Sequence, residues 1–350
     1  MRLPLLATLT LIMLVACDHS NDPQHPVYEH SIHTMGTLVT LSIHDTPPAR
    51  AQQASREIEA QLHAFSARWW SWGEGELGQI NQHLREGRPA AVPAGMLAQL
   101  KQSLTLAART QGHFNPAIGK LTELWGMHEP GSRSAPPAQA AIDALLPAPT
   151  AASLMPRDQQ ITPPGRVILD SGGFAKGLAV TAAMRELRGL GIERAIVDAG
   201  GDLGLLGQPV DAVWRIGVRD PAGGVIARLN LPEADLAVFS SGDYERGFEY
   251  AGTRHHHIID PRSGQPADHT RAVTVIHTDP LVADIAATAI LVAGPDQWLA
   301  IAQELEVARV LRIDADGSLH ASRAMAALLR MEPGGPEMVI HDMPFADLTN

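Results

Sequence analysis

The chain has 350 residues, 45% of them hydrophobic and 19% charged, with a formal net charge of −11. Such a composition buries a sizeable core and suits a soluble globular protein, while the acidic balance speaks against a nucleic-acid binder, which needs a basic face. Sixteen histidines are present, mostly scattered, and number alone makes no metal site. The single cysteine, Cys17, leaves no thiolate set for zinc.

The first residues read as processing signal. Arg2 is followed by an apolar run from Leu3 to Ala16, shorter than the ~20 residues of a membrane span and suited to a signal h-region. It ends in Leu14-Val15-Ala16-Cys17, which resembles the lipobox of bacterial lipoproteins. That resemblance implies cleavage before Cys17, lipidation of its thiol and, from Asp18, retention on the periplasmic face of the inner membrane. The alternative is an ordinary signal peptide with an incidental cysteine. Residues 1–16 are therefore expected to be a signal peptide, 17–29 a lipidated tether, 30–332 the folded domain and 333–350 an irregular tail.

Ser31 to Ile43 predicts a strand interrupted at Met35-Gly36. Ala51, Ala54, Ile58, Leu62 and Phe65 recur at helical spacing, predicting a helix from Ala49 to about Phe65. Trp69-Trp70-Ser71-Trp72 and a glycine-rich turn follow, then a helix from Ala94 to Thr110 closed by Gly112. The Pro- and Ala-rich stretch 130–164 reads as a surface excursion with a short helix near 138–146. Val167 to Asp170 predicts a strand leading through Ser171-Gly172-Gly173 into a helix from Ala175 to Leu190. Strands are expected at 194–198, 214–218, 227–231, 236–240 and 272–276, a helix from Pro280 to about Val292, and a closing hairpin at 309–321. Helices and antiparallel strands mixed in this irregular way predict an α+β fold.

Four stretches could carry chemistry. Asp170 to Gly177 places glycines between a strand and a helix start, where backbone N–H groups can face an anion. Lys176 in the first helical turn opposes the helix dipole, which a phosphate partner would explain; a plain turn with a solvated lysine is the alternative. Asp284 and Thr288 lie one helical turn apart, so their oxygens share a face and suit Mg²⁺; a dipole-favouring aspartate and a core threonine would look the same. Among His255, His256 and His257, strand alternation favours a single working histidine, His257, over a zinc site, with a surface cluster as the plainer reading. Ala199-Gly200-Gly201-Asp202 allows close backbone approach to a ligand or makes a simple hairpin turn. No GxSxG, HExxH or CxxC pattern is present, which removes the commonest hydrolase, metalloprotease and redox signatures.

The order of the motifs says more than any one of them. Met35-Gly36-Thr37 is followed by Glu76-Leu77 with Asn81, Gly112-His113-Phe114-Asn115-Pro116, Leu124-Trp125-Gly126, and Asp170 to Gly177. Asp198 to Asp202, Trp214 to Pro221, Ser240 to Tyr244, His257 to Pro266 and Ala283 to Thr288 complete the series. Over roughly residues 30 to 315 it resembles the FAD:protein FMN transferases of the ApbE family. The resemblance implies a T-fold-like α+β unit with FAD, the substrate, bound in a cleft by Met35, Trp72, His113, Phe114, Asn115, Asp170, Lys176 and Ile259. It further implies Mg²⁺ held by Asp284, Thr288 and the Gly173 carbonyl, with His257, Lys176 and Asp284 as the catalytic residues. Two departures stand out: Asn115 where the family usually has aspartate, and Gly75 where serine often precedes Glu-Leu.

The implied reaction transfers FMN from FAD to a Thr or Ser hydroxyl of an acceptor protein and releases AMP. Implied acceptors are flavoprotein subunits of membrane redox pumps or periplasmic electron carriers, reached by a lipid-anchored enzyme and without nucleic acid. An FAD pyrophosphatase, releasing free FMN and AMP, and a non-catalytic flavin-binding lipoprotein are the alternatives.

Overall fold

The computed structural model describes residues 26–129, 131, 133–208 and 213–343. The expected signal peptide and the lipidation site Cys17 lie outside the described residues. In chain order, β1 (Val27–Thr34) and β2 (Thr37–His44) precede α1 (Pro48–Trp69), α2 (Glu76–Arg85), β3 (Ala90–Ala91) and α3 (Ala94–Arg109). Next come α4 (Gly119–Leu124), α5 (Gln139–Asp143), a 3-10 turn (Ala151–Leu154), β4 (Gln160–Ile161) and α6 (Ala175–Gly189). A run of strands follows: β5 (Ala195–Ala199), β6 (Leu203–Leu206), β7 (Trp214–Arg219), β8 (Val225–Leu231), β9 (Leu236–Gly242), β10 (Gly247–Tyr250), β11 (Thr253–His256) and β12 (Thr270–His277). The last elements are α7 (Pro280–Glu304), β13 (Arg309–Asp314), β14 (Leu319–Ser322), α8 (Arg323–Ala326), β15 (Leu329–Met331) and β16 (Met338–His341).

One nine-stranded sheet, in the order β1-β2-β5-β6-β9-β12-β13-β14-β16, organises the molecule. Successive side chains along a strand point to opposite faces, and here both faces are buried. From β9 and β12, Ala237, Phe239, Val273 and Val275 join the core shared with α1, α3, α6 and α7. Leu236, Val238, Ala272 and Ile276 of the same strands face the other way, onto the three-stranded sheet β15-β8-β7. The mixed helix and antiparallel-sheet class is as expected.

Several local expectations need correction. The interruption at Met35-Gly36 is a hairpin turn, both residues having left-handed φ (52° and 71°), so two full strands replace one broken strand. Residues 167–170 make only one bridge, Ile118 to Ile168. The buried Asn81 takes the place of a neighbouring strand there, donating to the Leu169 carbonyl at 2.8 Å and accepting the Leu169 N–H at 2.8 Å. The stretch 130–164 is no mere surface excursion, because Ile142, Leu154 and Ile161 are fully buried. Its proline content suppresses regular structure without removing its apolar anchors. Part of the expected irregular tail is a strand as well: β16 pairs in parallel with β14. The expected tether also gives up its end, since β1 starts at Val27.

The expected end of α7 near Val292 coincides with a break. Gly294 has a φ of 64°, and Pro295 opens a second helical segment. By length and composition α7 could cross a membrane, but it is lined with buried residues on every turn up to that break and serves as the central core helix.

Candidate active site

Two helix starts meet beneath the cleft. Asp279 caps α7 by accepting the Leu281 N–H at 2.8 Å, and Pro280 occupies its first turn. Gly177, in the first turn of α6, packs against that start so closely that an added Cβ would lie 2.6 Å from the Pro280 carbonyl oxygen and 2.7 Å from Leu281 Cα. This approach lets the Gly177 N–H donate to Asp284 Oδ2 at 2.7 Å. One turn along α7, Thr288 Oγ1 lies 3.0 Å from Ser241 Oγ of β9.

The turn before α6 is held from three sides. Asp170 accepts the Gly172 N–H at 2.9 Å and the Thr122 hydroxyl at 2.8 Å. Ser171 accepts no strand pairing but donates to the Trp69 carbonyl at 2.7 Å, while its N–H donates to Ser71 Oγ at 2.9 Å. Gly173 sits against Phe114, where a Cβ would fall 2.6 Å from the ring. A side chain at 173 would therefore displace the aromatic floor of the cleft.

Charge is concentrated at this end. Lys176 forms an ion pair with Asp202, whose Oδ1 accepts the Ser240 N–H at 2.9 Å. Burial raises the Asp284 carboxyl to about 7, with the Asp202 charge adding to the rise and Lys176 and the Gly177 N–H opposing it. Burial works against the Lys176 charge, yet Asp202, Asp284 and Glu245 together outweigh it and lift its pKa above the ordinary value. Glu245 is raised by burial too, in part offset by Lys176. Half-buried His257 is pushed down by burial and by the neighbouring Arg246, so its ring is neutral near pH 7. Its Nδ1 faces the Arg246 carbonyl at 3.3 Å, which makes Nδ1 the donor and leaves Nε2 as the acceptor.

These elements enclose one cleft of about 1100 Å³, counting its open mouth. Trp72, His113, Phe114, Asn115, Asp170, Gly173, Lys176, His257, Ile259, Asp284 and Thr288 all line it. Met35, also expected there, does not. Its left-handed turn carries the side chain against the main core, although Thr37, two residues on, lies against Gly200 beside Asp202. At the other end of the cleft Trp72 packs on His128 with ring centroids 4.8 Å apart, and the Arg85 guanidinium lies 5.6 Å from the Trp72 ring centre.

Some lining residues are also structural. His113 Nδ1 donates to the Thr110 carbonyl at 2.9 Å, leaving Nε2 to accept from Arg262 at 2.7 Å. Asn115 donates to the Pro149 carbonyl at 2.8 Å and accepts the Ala117 N–H at 3.0 Å. Of the three adjacent histidines, His256 contacts the Ala267 carbonyl at 2.5 Å and His255 packs on Trp125 and Phe248. Only His257 reaches the cleft.

Glu245, Arg246 and His128 belong to the site as well, and so do Asp202 and Ser241, which the sequence offered only within the Ala199 to Asp202 turn and the Ser240 to Tyr244 stretch, without a role of their own. Asp202 could have been found from its place after Gly200-Gly201. Glu245 and Arg246 directly follow the Ser240 to Tyr244 stretch, and nothing local marks His128.

The sequence profile of the ApbE family matches residues 35–311. A Rhodobacter capsulatus protein called FAD:protein FMN transferase is 34% identical over 91% of this chain, and the alignment spans 62% of that longer relative. A Vibrio cholerae protein of the same description is 28% identical over 94% of this chain and 99% of its own length. Among solved structures, the ApbE protein of Thermotoga maritima superposes with a TM-score of 0.79 at 28% identity, covering 87% of this chain and 99% of the other. The flavin transferase ApbE of Vibrio cholerae gives 0.75 at 26% identity, covering 87% and 99%. The match runs through both helix starts and the cleft between them: the chain belongs to the ApbE family.

Proposed function

We propose that this protein is a Mg²⁺-dependent FAD:protein FMN transferase, moving FMN from FAD to a Thr or Ser hydroxyl of an acceptor flavoprotein. One observation carries the reading: Asp284, Thr288, Gly173 and Lys176, from two helices and a glycine turn, converge on a single cleft. The cleft pairs this charged end with an aromatic end at Trp72 and His128, as a flavin dinucleotide requires.

The donor set fits Mg²⁺. Asp284 supplies one buried carboxylate, Thr288 a hydroxyl and Gly173 a carbonyl, all hard oxygens that leave other positions for water and phosphate. Among the described residues no cluster of three or more His, Cys, Asp or Glu is arranged for a metal, so a nitrogen- or sulfur-rich centre has no ligands there. When bound, the cation neutralises charge developing on the pyrophosphate oxygens.

The chain's own groups do the rest. Trp72 stacks on the flavin and Phe114 floors the cleft. Lys176, freed from Asp202 by the incoming phosphates, adds a fixed positive charge where the phosphoryl group is transferred. His257 Nε2 takes the proton of the acceptor hydroxyl. The hydroxyl oxygen bonds to the FMN phosphorus, the bond from that phosphorus to the bridging oxygen breaks, and AMP leaves with the bridging oxygen. The same proposal has the enzyme lipid-anchored through Cys17 at the periplasmic face of the inner membrane, acting on subunits of membrane redox pumps or periplasmic electron carriers.

Purified protein mixed with FAD, Mg²⁺ and a candidate acceptor tests this directly. Flavin fluorescence on the denatured acceptor, with matching AMP, is the expected result. Free FMN and AMP without labelled acceptor would identify a hydrolase instead, and unchanged bound FAD a carrier.

A further inference from the structure

The turn between β9 and β10 is surrounded by arginines with partners. The Arg219 guanidinium lies 4.6 Å over the Tyr244 ring, Arg271 pairs with Asp243 at 3.1 Å, and Arg254 donates to the Asp243 carbonyl at 2.9 Å. Arg246, in the turn itself, differs from them. It is exposed and lines the cleft, and among the described residues its guanidinium makes no hydrogen bond or ion pair.

Its backbone, by contrast, is held. The Arg246 carbonyl accepts the His257 N–H at 3.2 Å and faces His257 Nδ1 at 3.3 Å. These contacts close the hairpin just beyond the Gly247–His256 pair. The main chain is thereby fixed beside His257 while the guanidinium stays free. Its charge is felt at the ring, since after burial it does most to push His257 down.

The charge balance of the cleft calls for such a group. Among the described residues, Lys176 and Arg246 are its only lysine and arginine, and Lys176 already has Asp202, Asp284 and Glu245 around it. A pyrophosphate brings further negative charge. The oxygens of Asp284 and Thr288 offer a cation site at the helix starts, whereas Arg246 stands on the His257 side, where the acceptor hydroxyl enters. A guanidinium suits that place: its planar fork matches phosphate oxygens, and it stays charged, so it does not compete with His257 for a proton.

We propose that Arg246 is a further catalytic residue, its guanidinium donating to non-bridging oxygens of the FMN phosphorus during the transfer. The inference rests on the transferase reading. As the acceptor oxygen bonds to that phosphorus and the bridging oxygen departs with AMP, the proton passes to His257 and Arg246 gives up none. Its part is to stabilise the charge spread over the equatorial oxygens.

The test compares the parent with Arg246→Ala and Arg246→Lys in the presence of Mg²⁺. Quenching of flavin fluorescence gives the affinity for FMN and for riboflavin, which lacks the phosphate. Arg246→Ala should bind FMN about tenfold more weakly and riboflavin as the parent does. Its rate of acceptor labelling at saturating FAD should fall by about 10²–10³-fold, with the melting temperature unchanged. Guanidinium chloride at a non-denaturing concentration should restore part of that rate, and ethylammonium should not. Arg246→Lys, which keeps the charge and loses the fork, should fall between parent and alanine variant. An undiminished labelling rate in Arg246→Ala, equal loss of FMN and riboflavin affinity, or a lost rate that guanidinium does not raise would overturn the proposal. If the parent itself labels no acceptor, the transferase reading fails, and the difference between FMN and riboflavin alone decides whether Arg246 meets the phosphate.

Discussion

The two ends of the cleft are built by opposite means. At the charged end, Lys176 stands on the first turn of α6 and Asp284 on the second turn of α7, fully folded elements pressed together at Gly177. At the aromatic end, Trp70, Trp72 and His128 lie outside the helices, and Trp70 is 47% exposed. Charges must be placed to within a fraction of an ångström to act on a phosphorus. A flat ring tolerates sliding over its neighbour, because stacking depends on area more than on a single distance. Rigidity is thus concentrated where the proposed reaction would make its bond.

The charged end should break first. Asp284→Asn keeps an oxygen for the Gly177 N–H but removes the charge, and the rate of acceptor labelling should fall by about 10²–10³-fold with the fold intact. Gly177→Ala comes next. Its Cβ would press on the Pro280 and Leu281 backbone at 2.6–2.7 Å, costing roughly 1–3 kcal/mol by overpacking and parting the N–H from Asp284. A lower melting temperature and a labelling rate reduced by roughly tenfold are expected together. An unchanged melting temperature would show that the two helix starts are not rigidly coupled.

The same end predicts a pH signature. Asp284 ionises near 7 in the folded, metal-free protein, well above its ordinary 3.8. A raised folded value means that its stabilising contribution is complete below about pH 4 and is lost as pH rises through 7. A bound cation favours the ionised form and must compete with the proton below that point. The gain in melting temperature on adding Mg²⁺ should therefore be larger at pH 8 than at pH 6. A gain that is greater at pH 6 would rule out this carboxylate as the ligand.

The aromatic end should yield more gently. Trp72→Ala removes a stacking surface worth about 1–3 kcal/mol per ring, which should raise KM for FAD by roughly tenfold and change kcat little. A fall in kcat matching that of Asp284→Asn would erase the distinction between the two ends.

How much of this was legible depended on whether a signal was local. Asp284 and Thr288 could be paired from helical spacing alone, and the break near Val292 from the Gly294-Pro295 dipeptide. The strand pattern at 309–321 and the helix after Gly173 were equally readable. By contrast, Lys176 meets Asp202 in the turn between β5 and β6, and Asn81 replaces a strand partner for Leu169 from 88 residues away. Such contacts exist only once the chain has closed on itself. The buried anchors Leu154 and Ile161 were hidden by the prolines and alanines around them, because their periodicity is too short to register.

Asn115 sharpens the comparison at its smallest scale. It lines the cleft beside Phe114, yet both ends of its amide are spent on the backbone, donating to Pro149 and accepting from Ala117. Aspartate, usual at this place in the family that the sequence resembles, keeps the acceptor and loses the donor. In this chain Asn115→Asp would set a carboxylate oxygen against the Pro149 carbonyl, at a cost of about 1–3 kcal/mol. A melting temperature lower by a few degrees and faster amide exchange around residues 147–151 should follow, with KM for FAD shifted by less than twofold. Should KM instead rise as far as in Trp72→Ala, the segment pinned by Asn115 would belong to the flavin site itself, and the aromatic end would owe its shape to residues 130–164.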